Sequence, residues 1–249
     1  MSSTGTRAYR ERLYRHYRDP GGSPDVEQAR RELASRAPYL RALARLVMPE
    51  ARSARVLDVG CGYGAFLLVL RDTGFVSVEG IDASGQQVAL AKRLGLDCVR
   101  QADVLDALRG APEASWDVIA ALDLLEHLTK DEALAFVDEA HRALGPRGRL
   151  VLHVPNGEAI FAGAVYFGDL THEIAFTRRS LRQLVSAAGF ARVSVFEDAP
   201  VVHGLGSALR YVIWRVARSA FRVIYVAETG DTSRDLVLSQ NLLAIAEKH

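Results

Sequence analysis

The sequence predicts an α/β fold: a doubly wound, seven-stranded, mostly parallel sheet with N-terminal helices and a late helical cover. Three observations predict it. Short β-branched runs alternate with helical stretches from Ser53 onward, the pattern of a parallel sheet with crossover helices. The first apolar run, Val56 to Val59, feeds a glycine-rich turn and then a helix. Each of the next two runs ends near an acid, Asp82 and then Asp103.

Residues 55–59 read as the first strand and 64–72 as its helix. The second strand is expected over 76–81, followed by a helix that Ser84 caps and Gly95 stops. A short third strand falls at 97–100 and a fourth at 116–122. The helix over 130–144 is closed by the turn Gly145-Pro146-Arg147-Gly148, and the fifth strand, 149–154, is broken by Pro155-Asn156. A helix over 178–188, stopped by Gly189, leads to a strand at 192–196. A long helix over 206–226 carries Arg210, Arg215, Arg218 and Arg222, and residues 236–246 form the last strand. Ahead of the sheet come an Arg/Tyr-rich segment, a Gly21-Gly22-Ser23-Pro24 break and a helix over 25–47. The chain thus divides into a helical arm, 1–52, and a sheet domain, 53–249, with a substrate loop and helical cover over 156–230. Arm and cover are expected at the mouth of the sheet, because ligands bind beyond the carboxyl ends of parallel strands.

A chain of 249 residues, 49% hydrophobic and 24% charged, can bury one large core. That composition excludes a disulfide-stapled mini-protein, a collagen-like fibre and a disordered chain. Two cysteines, Cys61 and Cys98, are too few for a disulfide framework or a cysteine zinc site, which points to a reducing cytosol. With no long uncharged stretch and no apolar signal core, the expectation is a cytoplasmic protein that is neither exported nor membrane-spanning. The net charge of +1 hides an asymmetry: residues 1–55 hold 12 arginines, no lysine and six acids, leaving the remainder net acidic. A basic arm on an acidic body fits an anionic substrate, an anionic membrane surface or docking onto the body itself. No basic run is dense enough to make nucleic acid the main partner.

The most informative stretch is Val56-Leu57-Asp58-Val59-Gly60-Cys61-Gly62-Tyr63-Gly64. Glycines there let the backbone turn tightly and approach a ligand closely. Asp82, in Glu79-Gly80-Ile81-Asp82, stands where a carboxylate accepts hydrogen bonds from ribose hydroxyls. Asp103, in Gln101-Ala102-Asp103-Val104, is placed to reach an adenine amino group. Taken singly, each acid could equally be a solvated strand end or a helix cap.

With WDVIAALDLLEHL, LGPRGRLVLHVPN and AFTRRSLRQLVSAAGF added, residues 53–196 resemble the class I S-adenosylmethionine-dependent methyltransferases. The resemblance implies a Rossmann-like sheet whose final antiparallel strand, here 236–246, inserts between the last two parallel ones. It implies that Asp58 ends the first strand and that Gly60, Gly62, Tyr63 and Gly64 hold the methionine part of S-adenosyl-L-methionine. Asp82 would take the ribose, Asp103 with Val104 would frame the adenine, and Leu122 would touch the cofactor through its backbone.

Methyl transfer from a sulfonium is an in-line displacement, so an enzyme mainly aligns the nucleophile and excludes water. An alcohol acceptor also needs a general base or a metal that lowers its pKa. Two histidine clusters are candidates. Asp123-Leu124-Leu125-Glu126-His127 matches a D/E-x-x-E-H pattern of ubiquinone-biosynthesis O-methyltransferases, where the resemblance implies a divalent metal. Asp123, Glu126 and His127 would then cradle Mg²⁺ or another divalent ion; without one, His127 is a base or a structural residue. In Thr171-His172-Glu173, His172 is a base, a further ligand or a loop-pinning residue, with Glu173 orienting it. His141 reads as an exposed helical residue and His153 as a satisfied core residue, while His16 and His203 are unplaced.

Tyr9, Tyr14 and Tyr17 interleave with Arg7, Arg10, Arg12, Arg15 and Arg18, a set that suits a sugar ring beside an anionic group. The Thr171-His172-Glu173-x-x-Phe176-Thr177 run and the Arg/Trp helix look more like methyltransferases of bacterial polysaccharide and sugar-nucleotide biosynthesis. The expectation is therefore an O-methyltransferase acting on a small, anionic sugar acceptor such as a nucleotide sugar. The alternatives are a quinone-precursor phenol at the membrane surface and a non-catalytic, methyltransferase-like binding subunit. The helix over 206–226 is open between a substrate cover, a homodimer contact and a lipid-facing surface.

Overall fold

A computed structural model describes residues 25–232 and 236–249, together with Leu13. The Arg/Tyr segment and His16 lie outside the described residues. Helix α1 (Val26–Val47) opens the described chain, its N-terminus capped by the Asp25 carboxylate on the Glu27 amide. Then follow β1 (Val56–Val59), α2 (Ala65–Asp72), β2 (Val78–Asp82), α3 (Gly85–Arg93), β3 (Val99–Gln101), α4 (Val104–Gly110) and β4 (Trp116–Leu122). A single 3-10 turn, Leu125–His127, leads to α5 (Lys130–Ala143) and β5 (Leu144–Pro155). The chain continues through α6 (Ala162–Tyr166), α7 (Arg178–Ala187), β6 (Arg192–Glu197), α8 (Leu205–Thr229) and β7 (Asn241–Glu247).

The seven strands form one sheet in the order β3-β2-β1-β4-β5-β7-β6. All neighbours are parallel except that β7 runs antiparallel to both β5 and β6. Alternation along the central strands divides the core into two layers. Val56, Val118, Ala120 and Val151 face one side, with α1, α2 and α3 laid over them. Leu57, Ile119, Leu150 and Leu152 face the other, covered by α4, α5 and α7. Leu40, Leu43 and Val47 of α1 are buried in the first layer, so the arm's helix shares the sheet's core.

Three elements differ from expectation. Trp116 pairs with Leu144 and Val118 with Arg149, so the turn expected at Gly145–Gly148 is a bulge inside β5, with Arg147 at φ +59°. The last strand begins only at Asn241, because the Val237 and Ser239 carbonyls turn aside to accept from Asn156 Nδ2 (3.0 and 2.9 Å). Helix α8 buries none of its residues and is held by Arg218, whose Nε donates to Glu197 Oε1 (2.6 Å) and whose Nη2 donates to the Leu236 carbonyl. Among the described residues, no helix is long and apolar enough to cross a membrane.

Candidate active site

At the carboxyl end of β1 the glycine loop folds back over β2, with the Gly60 and Cys61 amides donating to the Ile81 carbonyl (2.8 and 3.0 Å). Gly62 stands at φ +55°, and a Cβ there would meet only Gln87 Oε1, at 3.8 Å. That Gln87 oxygen is buried and has no hydrogen-bond partner, so a polar acceptor faces the space the glycine leaves open. Gly64 stands at φ +80° as the cap of α2. Tyr63, expected beside the methionine part, instead turns its side chain into the first core layer, where it is 4% exposed.

Asp82 closes β2 and receives one amide on each oxygen: Gly62 on Oδ2 (2.7 Å) and Ser84 on Oδ1 (2.8 Å). Each oxygen keeps a further lone pair, the arrangement a vicinal diol needs. Burial nevertheless raises the Asp82 carboxyl above its ordinary value. Asp58 lies one residue before the end of β1 and is fully enclosed; burial, and then the Asp82 charge, push its carboxyl up to about 8. Asp103 caps α4, its Oδ1 accepting from the Leu105 and Asp106 amides (2.9 and 3.1 Å) and its Oδ2 left for a ligand. Val104 opens α4 and Leu122 ends β4. Glycine loop, Asp82, Asp103 and Leu122 thus stand at the carboxyl ends of adjacent strands, and they fit an adenosine with a charged amino-acid tail.

The two histidine clusters, far apart in sequence, meet in space. The Glu173 and Ile174 amides donate to the Glu126 carbonyl (2.7 and 3.2 Å), tying the loop after β5 to the 3-10 turn after β4. The His127 and His172 rings stand 4.8 Å apart, edge to face. The Thr171 hydroxyl donates to Asp169 Oδ1 (2.6 Å), so at 2.8 Å it accepts from His127 Nδ1. His172 Nδ1 lies 3.0 Å from the Tyr166 carbonyl, which can only accept. Both imidazoles therefore have Nδ1 committed to an acceptor, and His172 presents Nε2. The Tyr166 carbonyl thus orients the His172 ring, while the Glu173 side chain, expected in that part, is largely exposed. Burial, and then His172, lower the His127 pKa. Burial, and then the Asp123 charge, push the Glu126 carboxyl up to about 8.

Ligating atoms of Glu126, His127 and His172 all lie within 4.8 Å of one another, the one such group among the described residues. Glu126 Oε2 is buried with no hydrogen-bond partner. Asp123, the other expected ligand, has a different neighbour: its Oδ1 lies 2.6 Å from His153 Nδ1. The other nitrogen of His153 lies 3.2 Å from Asp198 Oδ2, and the Tyr39 ring of α1 meets the imidazole edge-on. Motif reading missed Gln87, Tyr39, Asp169 and Asp198; only Asp169, two residues before Thr171, left any local trace. His141 packs on Phe190 and His203 stands exposed ahead of α8, both away from these groups.

A family model described as a methyltransferase domain matches residues 26–195. The ubiquinone biosynthesis O-methyltransferase of Idiomarina loihiensis is 32% identical over 106 residues, 41% of this chain and 42% of that protein. The indolepyruvate C-methyltransferase of Streptomyces griseus is 30% identical over 152 residues, 55% of this chain and 46% of that one. The chain spans less than half the length of these curated relatives. A SAM-dependent methyltransferase of Archaeoglobus fulgidus superposes with a TM-score of 0.60 at 17% identity, over 97% of this chain and 100% of the other. Haemonchus contortus phosphoethanolamine N-methyltransferase 2, solved with S-adenosyl-L-methionine, gives 0.58 at 16%, over 85% and 52%. At such identities the structures establish the fold. The family match takes in α1, the glycine loop, both later acids and both histidine clusters, and on it the chain belongs to the methyltransferase domain family.

Proposed function

We propose that this protein is an S-adenosylmethionine-dependent O-methyltransferase whose acceptor is a phenolic hydroxyl of the quinone-precursor kind. The observation that carries the reading is the pair of packed imidazoles, each with Nδ1 committed to an acceptor, so that His172 presents Nε2 beside the strand ends that would hold the donor. S-adenosylmethionine supplies an activated methyl group. The glycine loop receives its amino-acid end, the Asp82 oxygens the ribose hydroxyls, and Asp103 with Val104 the adenine. His172 Nε2 takes the acceptor proton as the oxygen attacks; His127, held by Thr171 and Asp169, stands next to it as the second base. A phenol suits such a base because its pKa, about 10, is far below that of a sugar hydroxyl.

The sugar acceptor drawn from the Arg/Tyr segment, the Thr171–Thr177 run and the Arg/Trp helix has no support from the relatives named above, and the Arg/Tyr segment lies outside the described residues. The likeness to ubiquinone biosynthesis O-methyltransferases favours the phenol.

A divalent ion fits the same cluster, with Glu126, His127 and His172 as ligands in place of the expected Asp123 set. Two imidazole nitrogens and one carboxylate oxygen suit Mn²⁺ or Zn²⁺ better than Mg²⁺, and the unpartnered Glu126 oxygen is the donor such an ion would satisfy. When bound, the ion would lower the pKa of the acceptor hydroxyl. A histidine holding it through Nε2 does not also accept a proton there, so base and metal versions are separable.

The test is transfer of labelled methyl from S-adenosylmethionine to a panel of catechols and nucleotide sugars, with and without EDTA. Label on catechols, lost in His172→Ala, is the expected result. Label on sugars alone, or on nothing, overturns the reading, and insensitivity to EDTA removes its metal version.

A further inference from the structure

Helix α8 is the largest feature that the methyl-transfer site leaves unused. It is 25 residues long, about 37 Å. Arg218, bonded to Glu197 and to the Leu236 carbonyl, fixes which side faces the body, and the half-buried Tyr211, Trp214 and Phe221 share that side. The opposite side is an apolar stripe with spacing of three and four: Leu205, Leu209, Val212, Val216 and Val223 are 93%, 62%, 56%, 66% and 70% exposed. The exposed Ile213 and Ile224 widen it, Arg210 lies beyond them on one flank and Arg215 on the other, and no acid occurs between Leu205 and Ala227. Arg215 lies against Tyr211, its guanidinium 5.9 Å from the ring, on the flank between the stripe and the body.

A second exposed apolar group lies on the segment after β5: Phe161, Phe167 and Leu170 are 74%, 82% and 81% exposed. Strands β5 and β6 both run antiparallel to β7 and so point the same way. The Phe161–Leu170 segment leaves the carboxyl end of the first, and the chain into α8 leaves that of the second. Both apolar groups therefore rise from the edge of the sheet that carries Glu126, His127 and His172.

We propose that α8 is an interfacial helix that docks this edge of the protein on an anionic lipid bilayer, with Phe161, Phe167 and Leu170 as a second point of insertion. An apolar face flanked by guanidinium groups buries its stripe at the acyl boundary while the arginines reach lipid phosphates. The helix is too charged to span, so it lies in the surface plane. A second copy of the chain fits less well. Pairing α8 with itself brings Arg210 and Arg215 of one copy toward the arginines of the other, with no acid between Leu205 and Ala227 to answer them. The docking stands on α8 alone; only the arrival of a lipophilic phenol by this route rests on the function proposed above.

Flotation with vesicles tests it, using phosphatidylglycerol with phosphatidylcholine against phosphatidylcholine alone. The full chain is expected to float with the anionic vesicles only, and less at high salt. Val216→Asp with Val223→Asp, at already exposed positions, is expected to abolish flotation while S-adenosylhomocysteine binding by calorimetry is unchanged. Arg210→Gln with Arg215→Gln is expected to lower the partition coefficient about tenfold or more. The proposal is overturned if the wild type stays in solution with anionic vesicles. It is equally overturned if ultracentrifugation shows a dimer, lipid or no lipid, that the valine variants dissociate. Flotation without methylation of any phenol would leave the docking standing and remove the proposed acceptor.

Discussion

His153 Nδ1 lies 2.6 Å from Asp123 Oδ1, with an Asp198 oxygen 3.2 Å from the other ring nitrogen. Both nitrogens must donate, so the ring is an imidazolium held between two carboxylates. Burial alone would pull its pKa down; Asp123 first, then Asp198, prevail and raise it to about 10. The same pairing holds Asp123 below the usual carboxylate range, against the upward push of its own burial. The network ties the ends of β4 and β5 to the chain after β6, at the rim of the candidate site.

His153→Gln is therefore expected to destabilise the protein by about 1–2 kcal/mol near pH 6, since it leaves the half-exposed Asp123 and the more buried Asp198 carboxylates without the cation between them. The folded-state pKa lies above the ordinary 6.5, so this stabilisation is complete below pH 6.5 and is lost as pH rises through about 10. Urea midpoints of wild type and variant should converge by pH 10.5. A gap that stays constant with pH would mean that the ring acts by packing alone.

Glu126 has the opposite consequence at the same rim. Its carboxyl keeps its proton up to about 8 in the fold but only to about 4.5 when unfolded, so stability falls as pH rises between those values. Glu126→Gln should accordingly gain stability over wild type at pH 8 and little at pH 4.5. Added Mn²⁺ or Zn²⁺ should raise the wild-type melting temperature at pH 7.5 by ionising the carboxyl, and leave Glu126→Gln unmoved. Calorimetric scans with each ion check both statements, and equal shifts in the two proteins would remove Glu126 as a ligand.

Two glycines of the loop separate folding from ligand binding. At Gly64 an added Cβ would stand 2.3 Å from Leu96 Cδ1, so Gly64→Ala is expected to cost about 2 kcal/mol or more, strain and collision together. At Gly62 the left-handed backbone costs about 1–2 kcal/mol, but the methyl enters open space beside Gln87 Oε1. Gly62→Ala should fold, melt slightly earlier, and bind S-adenosylhomocysteine at least tenfold more weakly by calorimetry. Unchanged affinity would place the amino-acid end of the ligand elsewhere.

These contrasts mark how far the residues alone could be read. Strands, the glycine turn, the Ser84 cap and the helix stop at Gly189 were legible because each is set by neighbours within about four positions. Both histidine clusters were legible one by one. Their meeting was not, since it depends on Glu173 and Ile174 amides reaching a carbonyl 47 and 48 positions earlier in the chain. His153 reads as a satisfied core residue, and it is satisfied, but its charge depends on Asp198 arriving from beyond β6. The stripe on α8 is visible in the sequence, whereas its direction depends on one ion pair, Arg218 to Glu197.

The same limits bear on which imidazole moves the proton, and pH profiles decide it. His127 is held neutral by burial and by its neighbour, so it remains a competent acceptor at lower pH than an ordinary imidazole. If His127 is the base, the acidic limb of kcat/KM lies below pH 6.5, and Thr171→Val lowers the rate by releasing the Nδ1 proton from its partner, while Thr171→Ser restores it. If His172 is the base, as proposed, His172→Ala lowers kcat about 100-fold or more at pH 7. That loss should shrink as pH approaches 10, where a phenol ionises unaided. Thr171→Val then acts mainly on KM, through the 4.8 Å contact between the rings. A His172→Ala deficit that is flat from pH 6 to pH 10 would mean that this residue shapes the pocket and takes no proton.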